Sequence, residues 1–429
     1  MKKSASALIL LFVMGTVFLT GYTNCSSGFS GNTGTTTGVT NGSSTTVPTP
    51  GSNESNYMAV TVGCGYVNEP CVTITVCLPG TTECQTIPNV LLDTGSYGLR
   101  LFSNVSLDNF NTTTALQTLP LMADPNNSAN VLSECVSYAD GSSDWGPVAQ
   151  ADITMGGETA ASVPIQIINS TFGTLPSDCT SPDTSPLTDG YNGILGVGLF
   201  TADCGSGCAP GTGAANNNIY FSCPSSGTGA CSGTTVAISS QVTNPVSLLP
   251  VDNNGVILQL PSVPVSFGLS DGASSANGYL YFGIGTELDN IPSGTTTLAA
   301  DQNGNFITTF NGSTSSSSFI DSGSNALYFP APSNAPGCSD NSFYCPTSEL
   351  TLSATQIGAT RAASQTVSFN LGNADDEFSQ SNPNNIFADL GGSLSSDFDW
   401  GLPFFFGRSV YVQIDGATSS LGTGPLWAY

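Results

Sequence analysis

The chain has 429 residues, enough for two lobes with separate cores, and its 49 glycines and 26 prolines predict many turns between short strands, an all-β protein. It contains no histidine, which excludes the commonest general base, the Ser-His and Cys-His nucleophile systems and most zinc sites. Thirty acidic residues against five basic ones, a formal charge of −25, argue against nucleic acid and anionic membrane surfaces as partners.

Lys2 and Lys3 precede an apolar run from Ala7 to Leu19 that is too short to cross a bilayer, and residues 1–25 read as the signal peptide of an exported protein. Cys25 suits the lipidated first residue of a bacterial lipoprotein, which would be the chain's one attachment to a membrane. Tyr22-Thr23-Asn24 before it lacks the small and aliphatic residues such sites carry, so plain cleavage and release is the alternative, and the destination is the periplasm, the cell surface or the medium. Residues 26–56 are rich in Gly, Ser, Thr and Asn and predict a flexible tether. Without the leader the chain has no lysine, and Arg100, Arg361 and Arg408 are its only side-chain cations. At low pH its carboxylates protonate and little positive charge is left to repel itself, so the fold is expected to tolerate acid.

Cys25 apart, the twelve remaining cysteines form an even set and predict disulfides. Close spacing pairs Cys204 with Cys208, Cys223 with Cys231 and Cys338 with Cys345, and leaves the rest open. With no histidine and no pair of CxxC knuckles, neither metal nor cofactor is expected.

Two runs look like copies of one piece: Leu91-Leu92-Asp93-Thr94-Gly95-Ser96 and Phe319-Ile320-Asp321-Ser322-Gly323-Ser324. Asp-Thr/Ser-Gly alone arises about once by chance in so Gly-, Ser- and Thr-rich a chain, so the flanks carry the signal. Gly98-Leu99 and Leu101 follow the first copy where Ala326-Leu327 and Phe329 follow the second, the even spacing of a strand's inward face. Each copy sets a carboxylate at the end of an apolar strand. Gly95 and Gly323 let the backbone turn so that N–H groups face it, Thr94 and Ser322 offer hydroxyls to the opposite loop, and Ser96 and Ser324 are placed to donate to its outer oxygen.

These runs resemble the paired active-site loops of the pepsin-like aspartic proteases, and the likeness extends over about Tyr57 to Tyr429. Tyr138-Ala139-Asp140-Gly141-Ser142 resembles the flap hairpin whose tyrosine covers the substrate. Gly190 to Gly196, Gly278 to Gly283, and Trp400-Gly401 with Phe404 resemble supporting segments of the two lobes. The resemblance implies a bilobal all-β fold with its active site between an N-terminal lobe, 57–288, and a C-terminal lobe, 289–429. It implies Asp93 and Asp321 as the catalytic pair, an extended peptide or protein as substrate, and no cofactor. A monomer is the default expectation.

The chain also departs from that pattern. Arg100 stands where the family usually has a tryptophan bonded to the flap tyrosine, which leaves it to bond or stack on Tyr138, bind a substrate carboxylate, or pair with a nearby acid. Asp399-Trp400-Gly401 replaces an Ile-Leu-Gly, and Ala202 to Thr234, with four cysteines, reads as an insertion. Nothing in 26–56 is basic, so no inhibitory prosegment is expected. Three other readings stand beside the protease: turn aspartates in a β-protein, a catalytically silent protein of this fold that binds or inhibits, and a carbohydrate-active protein with two carboxylates.

Overall fold

The computed structural model describes residues 47, 50, 55–138, 141–269, 271–339 and 342–429. The signal peptide, Cys25, most of the tether and Asp140 lie outside the described residues.

Strand residues make up 44% of the structure, with two short helices, Pro186–Asp189 and Ala374–Glu377. The strands obey the two-residue period: in Tyr57–Val62, Met58, Val60 and Val62 are buried while Ala59 and Thr61 are exposed. The exposed faces avoid charge and pair hydroxyls across strands instead, Thr75 with Thr86 at 3.2 Å and Thr355 with Thr366 at 3.0 Å. Such a surface changes little with pH.

One sheet of sixteen strands and another of seven give two β-rich lobes, a bilobal arrangement that matches a pepsin-like topology at the level of the fold. The larger sheet also takes in Ser409–Gln413 and Leu426–Ala428, so the end of the chain pairs back onto Gly255–Gln259 and ties the lobes together. The duplicated motif occupies the same setting twice. Strand Cys84–Asp93 lies parallel to Gly193–Val197, with Asp93 opposite Gly196, and Tyr97–Phe102 returns antiparallel to that neighbour. Strand Ser313–Ile320 lies parallel to Asp399–Trp400, and Leu327–Phe329 returns antiparallel to it. Leu99, Leu101, Leu327 and Phe329, read from sequence as inward positions, are all core residues.

Six disulfides, Cys64–Cys71, Cys77–Cys84, Cys135–Cys179, Cys204–Cys208, Cys223–Cys231 and Cys338–Cys345, include the three pairs that spacing predicts. They are consistent with an extracytoplasmic protein.

Several acids are buried. Burial pushes the carboxyl of Glu69 up to about 8 and that of Asp144 up to about 6. Each stays protonated in the folded chain at pH values where it ionises in the unfolded one. The stability this supplies is whole below about pH 4, the ordinary carboxylate range, and is lost as pH rises through 6 for Asp144 and 8 for Glu69. The urea midpoint is therefore expected to be higher at pH 4 than at pH 8; the reverse order would contradict this ledger of buried acids.

Candidate active site between the lobes

Asp93 closes its strand above the fully buried Leu91 and Leu92, and Asp321 follows Ile320 in the same way. The Gly95 N–H donates to Asp93 Oδ1 at 2.7 Å and the Gly323 N–H to Asp321 Oδ1 at 2.7 Å. Both glycines are forced by the opposite carboxyl. A Cβ on Gly95 would stand 2.5 Å from the carboxyl carbon of Asp321, and one on Gly323 would stand 2.8 Å from Asp93 Oδ1.

Thr94 and Ser322 cross between the loops. The Thr94 hydroxyl donates to the Ile320 carbonyl at 3.1 Å and accepts from the Ser322 N–H at 3.0 Å; the Ser322 hydroxyl donates to the Leu92 carbonyl at 2.7 Å and accepts from the Thr94 N–H at 3.0 Å. Four buried bonds thus lock the two loops in one register.

The carboxyls of Asp93 and Asp321 come within hydrogen-bonding reach of one another, and both residues are fully buried. Burial raises both pKa values, Asp321 well above the usual range, where the charge of Asp93 adds to it. The Ser324 hydroxyl donates to Asp321 Oδ2 at 2.9 Å, and Ser96 stands beside Asp93 in the matching position, where its hydroxyl helps to lower the pKa of that carboxyl.

Tyr138 lies at the tip of the hairpin formed by Asn127–Ser137 and Ser143–Met155, which the Tyr138 N–H closes onto the Ser142 carbonyl at 3.0 Å. Its ring is buried against Leu91, Phe102, Tyr191 and Ile194, and its hydroxyl donates to Asp144 Oδ2 at 2.5 Å. Gly141 takes φ +90° at the tip with open space around it, and Ser142 leads into the returning strand.

Arg100 is turned into the lobe, close enough to Tyr138 to interact with it electrostatically. It is fully buried, donates to the Tyr97 carbonyl at 2.9 Å, and forms ion pairs at 3.1 Å with both Glu134 and Asp203. Of the roles expected from sequence, pairing with a nearby acid is the one the structure shows, and strand register explains it. Arg100 opposes Ile194 on one side and Gln166 on the other, which turns its side chain into the lobe toward the hairpin strand that carries Glu134. Asp203 begins the Cys-rich segment, whose strand Tyr220–Pro224 pairs with hairpin strand Asn127–Ser137. That segment therefore backs the hairpin, and the Tyr220 hydroxyl donates to Asp203 at 2.7 Å.

Sequence reasoning missed two neighbours of the pair. Tyr66 sits in the loop closed by Cys64–Cys71, and its phenol is pushed up by burial and then by the charges of Glu69, Asp93 and Asp321. Glu69 shapes that loop by accepting from the Gly65 N–H at 2.5 Å and the Tyr66 N–H at 3.1 Å. Asn68 fastens the loop to the second lobe, donating to the Asn325 and Phe387 carbonyls, each at 2.8 Å, and accepting from the Phe387 N–H at 2.8 Å. The other neighbour is Asp399, a buried third carboxyl whose charge helps raise Asp321. The only sequence signal was a cysteine pair for the first and a missing Ile-Leu-Gly for the second.

One cluster of Cys338, Cys345 and Asp375 has the spacing of metal ligands, but its sulfurs are tied in a disulfide. A second cluster, Asp271, Glu377 and Asp389, is all carboxylate.

Fold and site define an all-β, bilobal protein consistent with the pepsin-like superfamily, with one carboxylate from each copy of a duplicated loop. The model of a family described as "Protein of unknown function (DUF3443)" matches residues 52–429, and the chain belongs to that family. A comparison with curated proteins gave no match.

Thr94→Val and Ser322→Ala each leave a buried N–H of the opposite loop without its acceptor, and each is expected to cost about 1–3 kcal/mol in urea unfolding. Arg100→Met strands two buried acids and is expected to cost more at neutral pH, about 3–5 kcal/mol, with a smaller loss at pH 4, because burial raises the pKa of Glu134 and favours its neutral form there. An equal loss at both pH values would mean that packing, not charge, is what Arg100 supplies.

Proposed function

We propose that this protein is an exported aspartic endopeptidase that hydrolyses peptide bonds in an extended segment held between its lobes. One observation carries the reading: Asp93 and Asp321 are brought carboxyl to carboxyl by the crossed Thr94 and Ser322 bonds, each with one oxygen held by a glycine N–H. Two carboxyls this close cannot both ionise, so they share a proton. The ionised member takes a proton from a water held between them as that water attacks the scissile carbonyl, and the protonated member donates to the carbonyl oxygen. The tetrahedral intermediate then collapses with proton transfer to the leaving nitrogen. The titration belongs to the pair rather than to either residue. A glycosidase pair needs about 5 Å or more between its carboxyls, wider than this contact, which counts against the carbohydrate reading.

In this mechanism the hairpin ending in Tyr138 lies over the bound segment, and its anchoring through Asp144 holds the tip. The same reading takes 57–288 and 289–429 as the two lobes, a monomer as the active unit, and the tether, with or without a lipid at Cys25, as its link to the envelope. A second reading, a silent binding or inhibitor protein, draws on the full burial of both aspartates beneath a loop fastened to the opposite lobe.

Incubating the disulfide-intact protein with denatured protein substrates from pH 2 to 7 separates the two. Peptidase activity is expected to peak in acid and to decline as pH removes the shared proton, with raised carboxyl pKa values extending the active range upward. Asp93→Asn and Asp321→Asn are each expected to cut the rate about 100-fold or more. Cleavage that survives both substitutions, or none by the folded parent, would overturn the proposal, the latter in favour of binding.

A further inference from the structure

Away from the paired aspartates, three carboxylates converge from separate segments. Asp271 lies in the connection between strands Gly255–Gln259 and Ala276–Phe282, Glu377 on the short helix Ala374–Glu377, and Asp389 just before strand Gly391–Ser393. An oxygen from each lies within 4.8 Å of the others, and the three residues are 2%, 3% and 0% exposed. Asp271 Oδ1 is held by the N–H groups of Ser266 at 2.6 Å and Gly272 at 2.7 Å. Both oxygens of Glu377 have no hydrogen-bond partner among the described residues, and Asp389 meets only its own backbone N–H and, within the cluster, Asp271. Gly372 leaves room for them, since a Cβ there would come within 2.2 Å of Glu377 Oε1 and 2.6 Å of Asp389 Oδ2.

Buried carboxylate oxygens require a donor or a cation. The ion pairs among the described residues belong to Arg100, which is committed to Glu134 and Asp203, and Arg408 lies over the ring of Phe404. Among the described residues no ion pair reaches these three acids. We infer that Asp271, Glu377 and Asp389 form a calcium site that pins the first lobe's 260–275 connection to the second lobe. An all-oxygen set without nitrogen or sulfur selects a hard cation. Oxygens no farther apart than 4.8 Å fit on one calcium ion, whose ligands stand at about 2.3–2.6 Å, and three carboxylates binding through one or two oxygens suit its flexible shell of 6–8. Magnesium, which holds on to several of its waters, is poorly served by a site this enclosed.

The ligands bracket a joint that already carries polar contacts between the lobes. Ala273 and Ile386 exchange backbone bonds of 2.8 and 3.1 Å, and the Asn384 amide donates to the Asp271 carbonyl at 2.6 Å. Phe387, in the same stretch, donates to Asn68 in the loop beside the aspartate pair. The ion would stiffen the seat of that loop, whether or not the protein is a peptidase.

The test is calorimetric titration of the chelator-treated, disulfide-intact protein with calcium chloride at pH 7, with thermal melts in calcium chloride, magnesium chloride or EGTA. One calcium per chain and a melting point several degrees higher in calcium than in EGTA or magnesium are expected. Glu377→Gln and Asp389→Asn are expected to weaken binding by roughly tenfold or more and to remove the calcium-dependent rise. Both variants lose a buried charge, so in EGTA they should melt no lower than the parent. A folded parent that neither takes up calcium nor melts higher in it, or that responds equally to magnesium, overturns the assignment.

Discussion

Two carboxyls buried face to face repel each other whenever both are charged, and their register depends on what holds the two loops from outside. That constraint is met by Thr94 and Ser322, which reach across to bind the backbone of the opposite loop. Because each hydroxyl both donates and accepts, neither loop can shift without breaking bonds in the other. The lobes are organised around this joint: each supplies a strand that ends in aspartate, a parallel neighbour and an antiparallel return. The final strands of the chain then close onto the first lobe and fix the distance between the two.

A second theme is scarcity of positive charge. With one arginine enclosed among acids and no lysine after Lys3, the chain handles its carboxylates by other means. Glycine N–H groups face Asp93 and Asp321, loop N–H groups face Glu69, and a phenol faces Asp144. Protonation does the rest for acids whose burial raises their pKa. Hydroxyl ladders replace ion pairs on the open faces of the sheets. The fold is thus held by contacts that persist in acid.

The aspartate pair was legible in the sequence because its needs are local: an apolar strand, a hydroxyl, a glycine, and a second copy of all three. The hairpin tip could be read for the same reason, since Tyr138 and Gly141 are close in sequence. What could not be read depends on partners far along the chain. The arginine at position 100 signalled a charge without saying that Glu134 and Asp203 enclose it, because those come from a hairpin strand and a Cys-rich segment whose packing no local pattern encodes. Tyr66 and Asn68 carry no motif, and their place beside the aspartates follows from bonds to residues more than 250 positions away.

Five of the six disulfides join cysteines 4 to 8 residues apart, and only Cys135–Cys179 spans a longer stretch, 44 residues. Links this short remove little entropy from the whole chain, but each needs only its own neighbourhood to form. If the chain is exported, as the proposed function has it, they can close one after another as they emerge, before its other half has arrived. The loop around Tyr66 would then be tied off first, waiting for the lobe that Asn68 must grip.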